Sequence, residues 1–259
     1  MIVSISNISK SYLVESIFDK KVLNEISFEL NFLENNFISL IAPFGSGKTT
    51  LLKIIAGLSK TDSGKIIVKE NGSEKILDNV VYIPTEPVSI PWLSVKKNIE
   101  FSIPNNKLSQ ERTKFIISLI GLEGYEDHIP DKDSFGFRFR ITLGRALYSN
   151  PKLILLDEPF NKLDWLTKAE IFSMTKSVVT QTDSKFLMAT SNLLDAIFLS
   201  DEVMFFNKEG KTLTESLKIE KSFSTMNEML QSDYFNQVLN NFKLKMNIHS
   251  GYNIKDFSI

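Results

Sequence analysis

The stretch Ala42-Pro43-Phe44-Gly45-Ser46-Gly47-Lys48-Thr49-Thr50 constrains this chain more than any other. It joins an apolar run, Phe37–Ile41, to a segment from Lys48 to Leu58 whose apolar residues recur at i, i+3 and i+4 until Gly57. A buried strand that enters a glycine-rich loop and leaves as a helix can close its backbone N–H groups around phosphate oxygens. Gly45 and Gly47 allow those N–H groups to turn inward, and the helix N-terminus adds partial positive charge. Lys48 would neutralise the outer phosphates of a nucleoside triphosphate, and the Thr49 hydroxyl would ligate Mg²⁺. Ala42 stands where such loops usually carry their first glycine, a mild change if φ stays negative.

The rest of the chain suits that beginning. Its 259 residues are enough for one large α/β domain with an insert. A formal charge of −1 gives no support for coating nucleic acid, and zero cysteines remove disulfides and thiolate metal sites. No apolar run approaches the ~18–20 residues of a bilayer span, and Met1-Ile2-Val3-Ser4 does not resemble a secretory leader. The chain is expected in the cytoplasm unless something holds it to a membrane.

Short β-branched runs alternate with helical patterns. Strands are expected at Val22–Leu30, Phe37–Ile41, Lys65–Val68 and Val80–Ile83. From Val95 to Leu122 the pattern is helical only, interrupted at Pro104-Asn105-Asn106, which marks a helical insert of about 45 residues. Leu153–Leu156 reads as a fully buried strand. Helix Leu166–Thr180, strand Lys185–Ala189, helix Leu193–Leu199 and strand Glu202–Phe206 follow, a succession that implies a parallel sheet. After Lys211 come one more strand and an amphipathic helix near Met226–Phe242, expected to pack its Met226, Met229, Leu230, Phe235, Val238 and Leu239 stripe on the domain.

The buried strand ends in Asp157-Glu158, which places a carboxylate for a Mg²⁺-bound water and another to polarise an attacking water. Together with the phosphate loop, this pair points to a nucleotide triphosphatase.

In this order the motifs resemble the ATP-binding subunits of ABC transporters, over essentially the whole chain. Tyr12, in Ser9-Lys10-Ser11-Tyr12, matches the residue that stacks on adenine, although a half-buried core tyrosine would look the same. Asp164, in Pro159-Phe160-Asn161-Lys162-Leu163-Asp164, matches the loop that contacts a second subunit. Glu86-Pro87, Pro91-Trp92-Leu93-Ser94-Val95 and Asn98 resemble a narrower subgroup, importers of nitrate, sulfonates and taurine. Trp92 itself reads as a packing residue near the permease contact. The resemblance implies an α/β fold with a P-loop NTPase core, an antiparallel β subdomain, a helical insert at about 88–134 and a C-terminal extension at 211–259, all in one domain. It implies ATP and Mg²⁺ as ligands. It also implies an integral membrane permease, a second ATP-binding subunit and a solute-binding protein as partners, with the chain peripheral at the inner face of the membrane.

Four departures accompany it. Thr85 replaces the glutamine that would contact Mg²⁺ and water, and no glutamine occurs between Leu51 and Ser109. Ser191, in Thr190-Ser191-Asn192, replaces the switch histidine, and the only histidines, His128 and His249, read as surface residues. The segment that caps ATP across the dimer reads Asp133-Ser134-Phe135-Gly136-Phe137 in place of Leu-Ser-Gly-Gly-Gln, so a phenylalanine stands where glycine lets backbone approach phosphate. At ~8 Å and a dielectric near ~20, Asp133 would cost about 2 kcal/mol against each anionic charge. Arg138, Arg140 and Arg145 on the following helix would offset this, or simply form a solvated face. Ala42 is the fourth departure.

Nucleotide-binding parts are thus retained while water-organising parts are lost, which would slow hydrolysis by ~10²–10⁴-fold. Three readings are open: a slow transport ATPase acting through Lys48 and Glu158; a non-hydrolysing nucleotide-binding subunit that pairs with a fuller ATPase or gates a permease by ATP occupancy alone; or a regulatory or scaffold protein with no permease.

Overall fold

The structure is a computed structural model that describes residues 1–14, 18–70, 72–104, 109–130, 133–206, 213–220 and 223–245. Asn105, Asn106, Lys211, His249 and the end of the C-terminal extension lie outside the described residues.

Two sheets organise the chain. The larger has six strands, β3 (Phe37–Ile41), β6 (Val80–Ile83), β7 (Leu153–Asp157), β8 (Lys185–Thr190), β9 (Glu202–Phe206) and β10 (Leu213–Lys218), in the order β10-β9-β3-β8-β7-β6. All neighbours run parallel except the β9–β10 edge pair. β3 and β7 are buried along their whole lengths, as their unbroken apolar runs demand of strands covered on both faces. The smaller sheet is antiparallel, β2-β1-β4-β5, from β1 (Ile2–Val14), β2 (Phe18–Asn31), β4 (Ser63–Glu70) and β5 (Ser73–Lys75).

The amino-terminal strand β1 has no counterpart in the sequence reading, for a physical reason. Val3 and Ile5 are buried, but the next buried apolar residue is Ile8, because Asn7 adopts a positive φ and the register slips between Ile5 and Ile8. The irregularity breaks the alternation that marks a strand.

Helix α1 (Lys48–Ile55) leaves β3 through the glycine loop and ends near Gly57, whose φ of 71° terminates it. The insert contains α2 (Val95–Glu100) and α3 (Gln110–Leu119), and α4 (Phe135–Tyr148) leads back to β7. Helices α5 (Trp165–Gln181) and α6 (Leu193–Leu199) alternate with β8 and β9. The expected C-terminal helix is two, α7 (Met226–Gln231) and α8 (Asp233–Lys245). Ser232 has ψ of 140° and its hydroxyl accepts from Phe235 N–H, so one chain break serves as stop and start. Met226, Met229, Phe235 and Val238 are buried on the domain, whereas Leu230 is exposed.

Arg140 and Arg145 do not form a solvated face. Arg145 donates to Asn98 O (2.9 Å), Asn98 Oδ1 (2.5 Å) and Val88 O (3.0 Å), and Arg140 donates to Ile120 O (2.8 Å). They tie α4 to the insert. Asn98, fully buried, accepts from Ile90 N–H (2.7 Å) and donates to the carbonyls of Ile90, Leu93 and Ser94, which fixes the turn from Val88 to Ser94. Trp92 on that turn is 76% exposed, so it is a presented residue rather than a packing one.

Candidate functional site

The loop after β3 and the tips of β7 and β8 meet at one edge of the large sheet, where strand order brings three consecutive C-terminal ends together. Gly45 and Gly47 sit at φ 80° and 97°, a region closed to most side chains. At Gly47 a Cβ would also lie 2.8 Å from Leu23 Cδ2, so the small sheet packs directly on the loop. Phe44 projects outward, 95% exposed, while the Ser46 hydroxyl is buried with no hydrogen-bond partner among the described residues. Thr50 lies in the first turn of α1.

Lys48 is buried and turns back onto its own loop. Its Nζ donates to Ala42 O (2.6 Å) and Pro43 O (2.9 Å) and lies 3.1 Å from Glu158 Oε1. Burial pushes its ammonium below the ordinary lysine range, opposed by Glu158. Thr49 Oγ1 donates to Asp157 Oδ1 at 3.0 Å, and the Tyr82 hydroxyl donates to Asp157 Oδ2 at 2.8 Å. Burial raises the Asp157 carboxyl, and these two donors pull it back. The Tyr82 phenol is itself pushed well up by burial and by the adjacent carboxylate, so it remains a protonated donor.

Glu158 adopts φ 46°, a strained conformation for a non-glycine residue, while its N–H extends the ladder to Ala189 O (2.8 Å). The turn aims its side chain at β8. Oε2 accepts from Ser191 N–H (2.9 Å), Ser191 Oγ (3.3 Å) and Asn161 Nδ2 (3.0 Å). Among the described residues Oε1 makes no hydrogen bond of good geometry and faces the Lys48 ammonium.

The remaining sequence candidates stand outside this cluster. Thr85 follows β6, half-buried, and its neighbour Glu86 is ion-paired with Lys162 of the loop before α5. Asp164 caps α5, accepting from Thr167 N–H (3.0 Å) and Oγ1 (2.6 Å), and those bonds hold its carboxyl below the usual range. Tyr12, in β1, is 41% exposed with the Lys10 ammonium 5.4 Å over its ring. Ser134 caps α4 by accepting from Phe137 N–H at 3.3 Å, Phe135 opens the helix, and Gly136 is buried where a Cβ would meet Thr167 Cγ2 at 2.7 Å. Asp133 pairs with His128 at 3.0 Å, so its charge faces an imidazole rather than the α4 arginines.

Tyr82 and Asn161 were not singled out from the sequence. Tyr82 is the one polar residue of Val80–Ile83, and it pairs with Leu155, two residues before Asp157 and therefore on the same face of the sheet. That register is the signal that would have found it.

The ABC transporter family model matches residues 23–161. The chain is 33% identical over 213 residues to the aliphatic sulfonates import ATP-binding protein SsuB of Bacillus cereus, covering 82% of this chain and 84% of that protein. It is 32% identical over 198 residues to SsuB 2 of Pseudomonas syringae, covering 76% and 81%. Among solved structures, the dimeric post-hydrolysis state of the ATP-binding cassette MJ0796 bound to ADP and Pi superposes with a TM-score of 0.69 at 24% identity, covering 85% of this chain and 99% of that one. That likeness identifies the fold as the P-loop NTPase fold of ABC ATPases. The chain belongs to the ABC transporter family, alongside the ATP-binding proteins of sulfonate importers.

Proposed function

We propose that this chain is an ATP-hydrolysing subunit that energises import of a small solute, of the nitrate, sulfonate or taurine class, through a separate membrane permease. The observation that carries the reading is the junction of loop and strand tip, Thr49 to Asp157 at 3.0 Å and Lys48 to Glu158 at 3.1 Å. The loop fits a triphosphate: left-handed glycines at 45 and 47 turn N–H groups inward, and the buried Ser46 hydroxyl has no partner among the described residues. Thr49 and Asp157 offer two hard oxygens, a donor set that fits Mg²⁺, which when bound would neutralise charge on the transferred phosphoryl group.

Lys48 exchanges its loop carbonyls and Glu158 for phosphate oxygens when ATP enters. That exchange leaves Oε1 of Glu158 free to face the attacking water, while Ser191 and Asn161 keep Oε2 in place. Glu158 then accepts the proton of the attacking water, a role worth about 10²–10⁴-fold. The shortened Thr85 leaves that water with one fewer direct contact, which supports slow turnover. Two subunits would close over the nucleotides, with Ser134, Phe135 and Gly136 of one facing Phe44–Thr50 of the other and Asp164 at the contact. The exposed turn bearing Val88 and Trp92 would meet the permease at the inner face of the membrane, and a solute-binding protein would deliver cargo outside.

Steady-state phosphate release tests this. Lys48→Ala is expected to lose nucleotide binding, and Glu158→Gln to keep binding while release falls to background. Mg²⁺-dependent ATP binding with release unaltered by Glu158→Gln would instead establish a second reading, a non-hydrolysing partner of a fuller ATPase subunit. Phe135, at the head of α4 where the family has glycine, favours that alternative.

A further inference from the structure

We propose that Tyr82 is a positioning residue for the metal-binding carboxylate, its phenol pinning Oδ2 of Asp157 so that Oδ1 is presented to Thr49 and to the cation those two would share. The inference rests on the proposed function and names a residue that the functional motifs do not contain. A carboxylate with one oxygen held still turns about its Cβ–Cγ bond and can exchange its two oxygens. With Thr49 on Oδ1 at 3.0 Å and Tyr82 on Oδ2 at 2.8 Å, both oxygens are assigned and the plane is fixed. Asp157 is 1% exposed, so solvent cannot replace the phenol freely. The donor comes from rigid structure: Tyr82 lies in β6, in parallel register with Leu155 of β7, and its ring is half-buried. Three residues later the same segment carries Thr85 where the family's glutamine would reach the metal and water. The chain has lost the direct contact from that segment, yet the strand before it still acts on the site through Asp157. Groups that orient a metal ligand commonly set metal affinity by about 10–100-fold without touching the ion.

The test is Mg²⁺ titration of the whole chain with a fluorescent ATP analogue, reading nucleotide binding rather than turnover. Tyr82→Phe keeps the ring and removes only the hydroxyl. The half-saturating Mg²⁺ concentration is expected to rise about tenfold, while analogue affinity in excess EDTA stays within about twofold of wild type. A superposable Mg²⁺ curve would overturn the proposal. So would an equal loss of affinity with and without Mg²⁺, the pattern of a general packing defect, and the EDTA arm reports folding of the same sample. A wild-type chain whose nucleotide affinity is identical with and without Mg²⁺ would remove the metal site itself, and with it the proposed function, before the variant is compared.

Discussion

Asn98→Ala provides a demanding test of how the insert is held. The side chain is completely buried, and its carboxamide serves Ile90 N–H (2.7 Å), Arg145 Nη2 (2.5 Å) and the carbonyls of Ile90, Leu93 and Ser94. Not all of these partners are orphaned by truncation. Ile90 O still accepts from Leu93 N–H and Ser94 O from Asn98 N–H, and Arg145 keeps Asn98 O and Val88 O. Ile90 N–H and Leu93 O are left bare, at about 1 kcal/mol each, and the lost bond to the guanidinium costs about 1.5 kcal/mol more. The expected destabilisation is therefore about 3–4 kcal/mol, measured by urea unfolding at constant m-value. Asn98→Asp separates the causes. It keeps the acceptor for Ile90 and Arg145 but turns an oxygen toward three carbonyls, so it is expected to be at least as damaging despite its new ion pair. Hydrogen exchange should rise from Val88 to Ser94 in both variants and leave the phosphate loop protected. A loss below about 1 kcal/mol, or an Asn98→Asp variant more stable than wild type, would refute the carboxamide's role in holding the turn.

Gly47→Ala must place a side chain at φ 97° with its Cβ 2.8 Å from Leu23 Cδ2. It is expected to cost about 1–3 kcal/mol in urea unfolding and to abolish nucleotide binding, and intact binding would contradict the loop geometry. Asp195, buried and ion-paired with Lys168 at 2.9 Å, has its carboxyl raised to about 6 by burial, so the fold keeps a proton that the unfolded chain releases above about pH 4. Stability from this group therefore falls between about pH 4 and 6, and the advantage of Asp195→Asn over wild type should grow across that window by up to about 3 kcal/mol; a pH-independent difference would contradict it. Ser191→Ala is expected to change phosphate release less than about threefold, because the 2.9 Å backbone bond to Glu158 survives and the hydroxyl contact to the same oxygen is the longer one, at 3.3 Å. Asn161→Ala, which removes a 3.0 Å bond to the same oxygen, should reduce release more, and the opposite order would refute this arrangement.

What could be read beforehand follows from the range over which each signal acts. The strand–loop–helix that begins at Phe37 and the buried strand that begins at Leu153 are local patterns, and both form, the helix ending at Ile55 rather than Leu58 and the strand at Asp157 rather than Leu156. β1 was hidden because a bulge at Asn7 changes the phase of its buried residues. The break at Ser232 was hidden because serine is tolerated inside a helical pattern, and only its cap to Phe235 turns it into a boundary. Arg140 and Arg145 read as surface charge because they donate to backbone carbonyls of the insert, which leave no trace in the residue types. Tyr82 depends on register between strands more than seventy residues apart, and Asn161 on a turn that reverses Glu158 toward it. Local patterns locate the site; long-range pairings supply the groups that orient it.

The two acids differ in a way that bears on the missing glutamine and histidine. Asp157 has both oxygens held by neutral hydroxyls from separate elements, so its orientation does not depend on a bound ligand. Glu158 is divided: Oε2 is fixed by Asn161 and by the N–H of Ser191, while Oε1, among the described residues, is balanced by Lys48 alone. A buried carboxylate deprived of its counter-charge is costly, several kcal/mol when nothing replaces the cation. In the proposed mechanism, withdrawal of Lys48 toward a phosphate would take away the cation that faces Oε1 and leave that oxygen open to the attacking water. On the proposed reading, Lys48 would both meet the nucleotide and hold Glu158 until the nucleotide arrives. A switch side chain is not needed for that coupling, because the fixed oxygen is anchored by a main-chain N–H that any residue at position 191 other than proline would supply. On the same reading the glutamine is harder to replace: orienting Asp157 from behind would not restore a contact to the attacking water, so the proposed erosion is expected in the rate of hydrolysis rather than in the affinity for nucleotide.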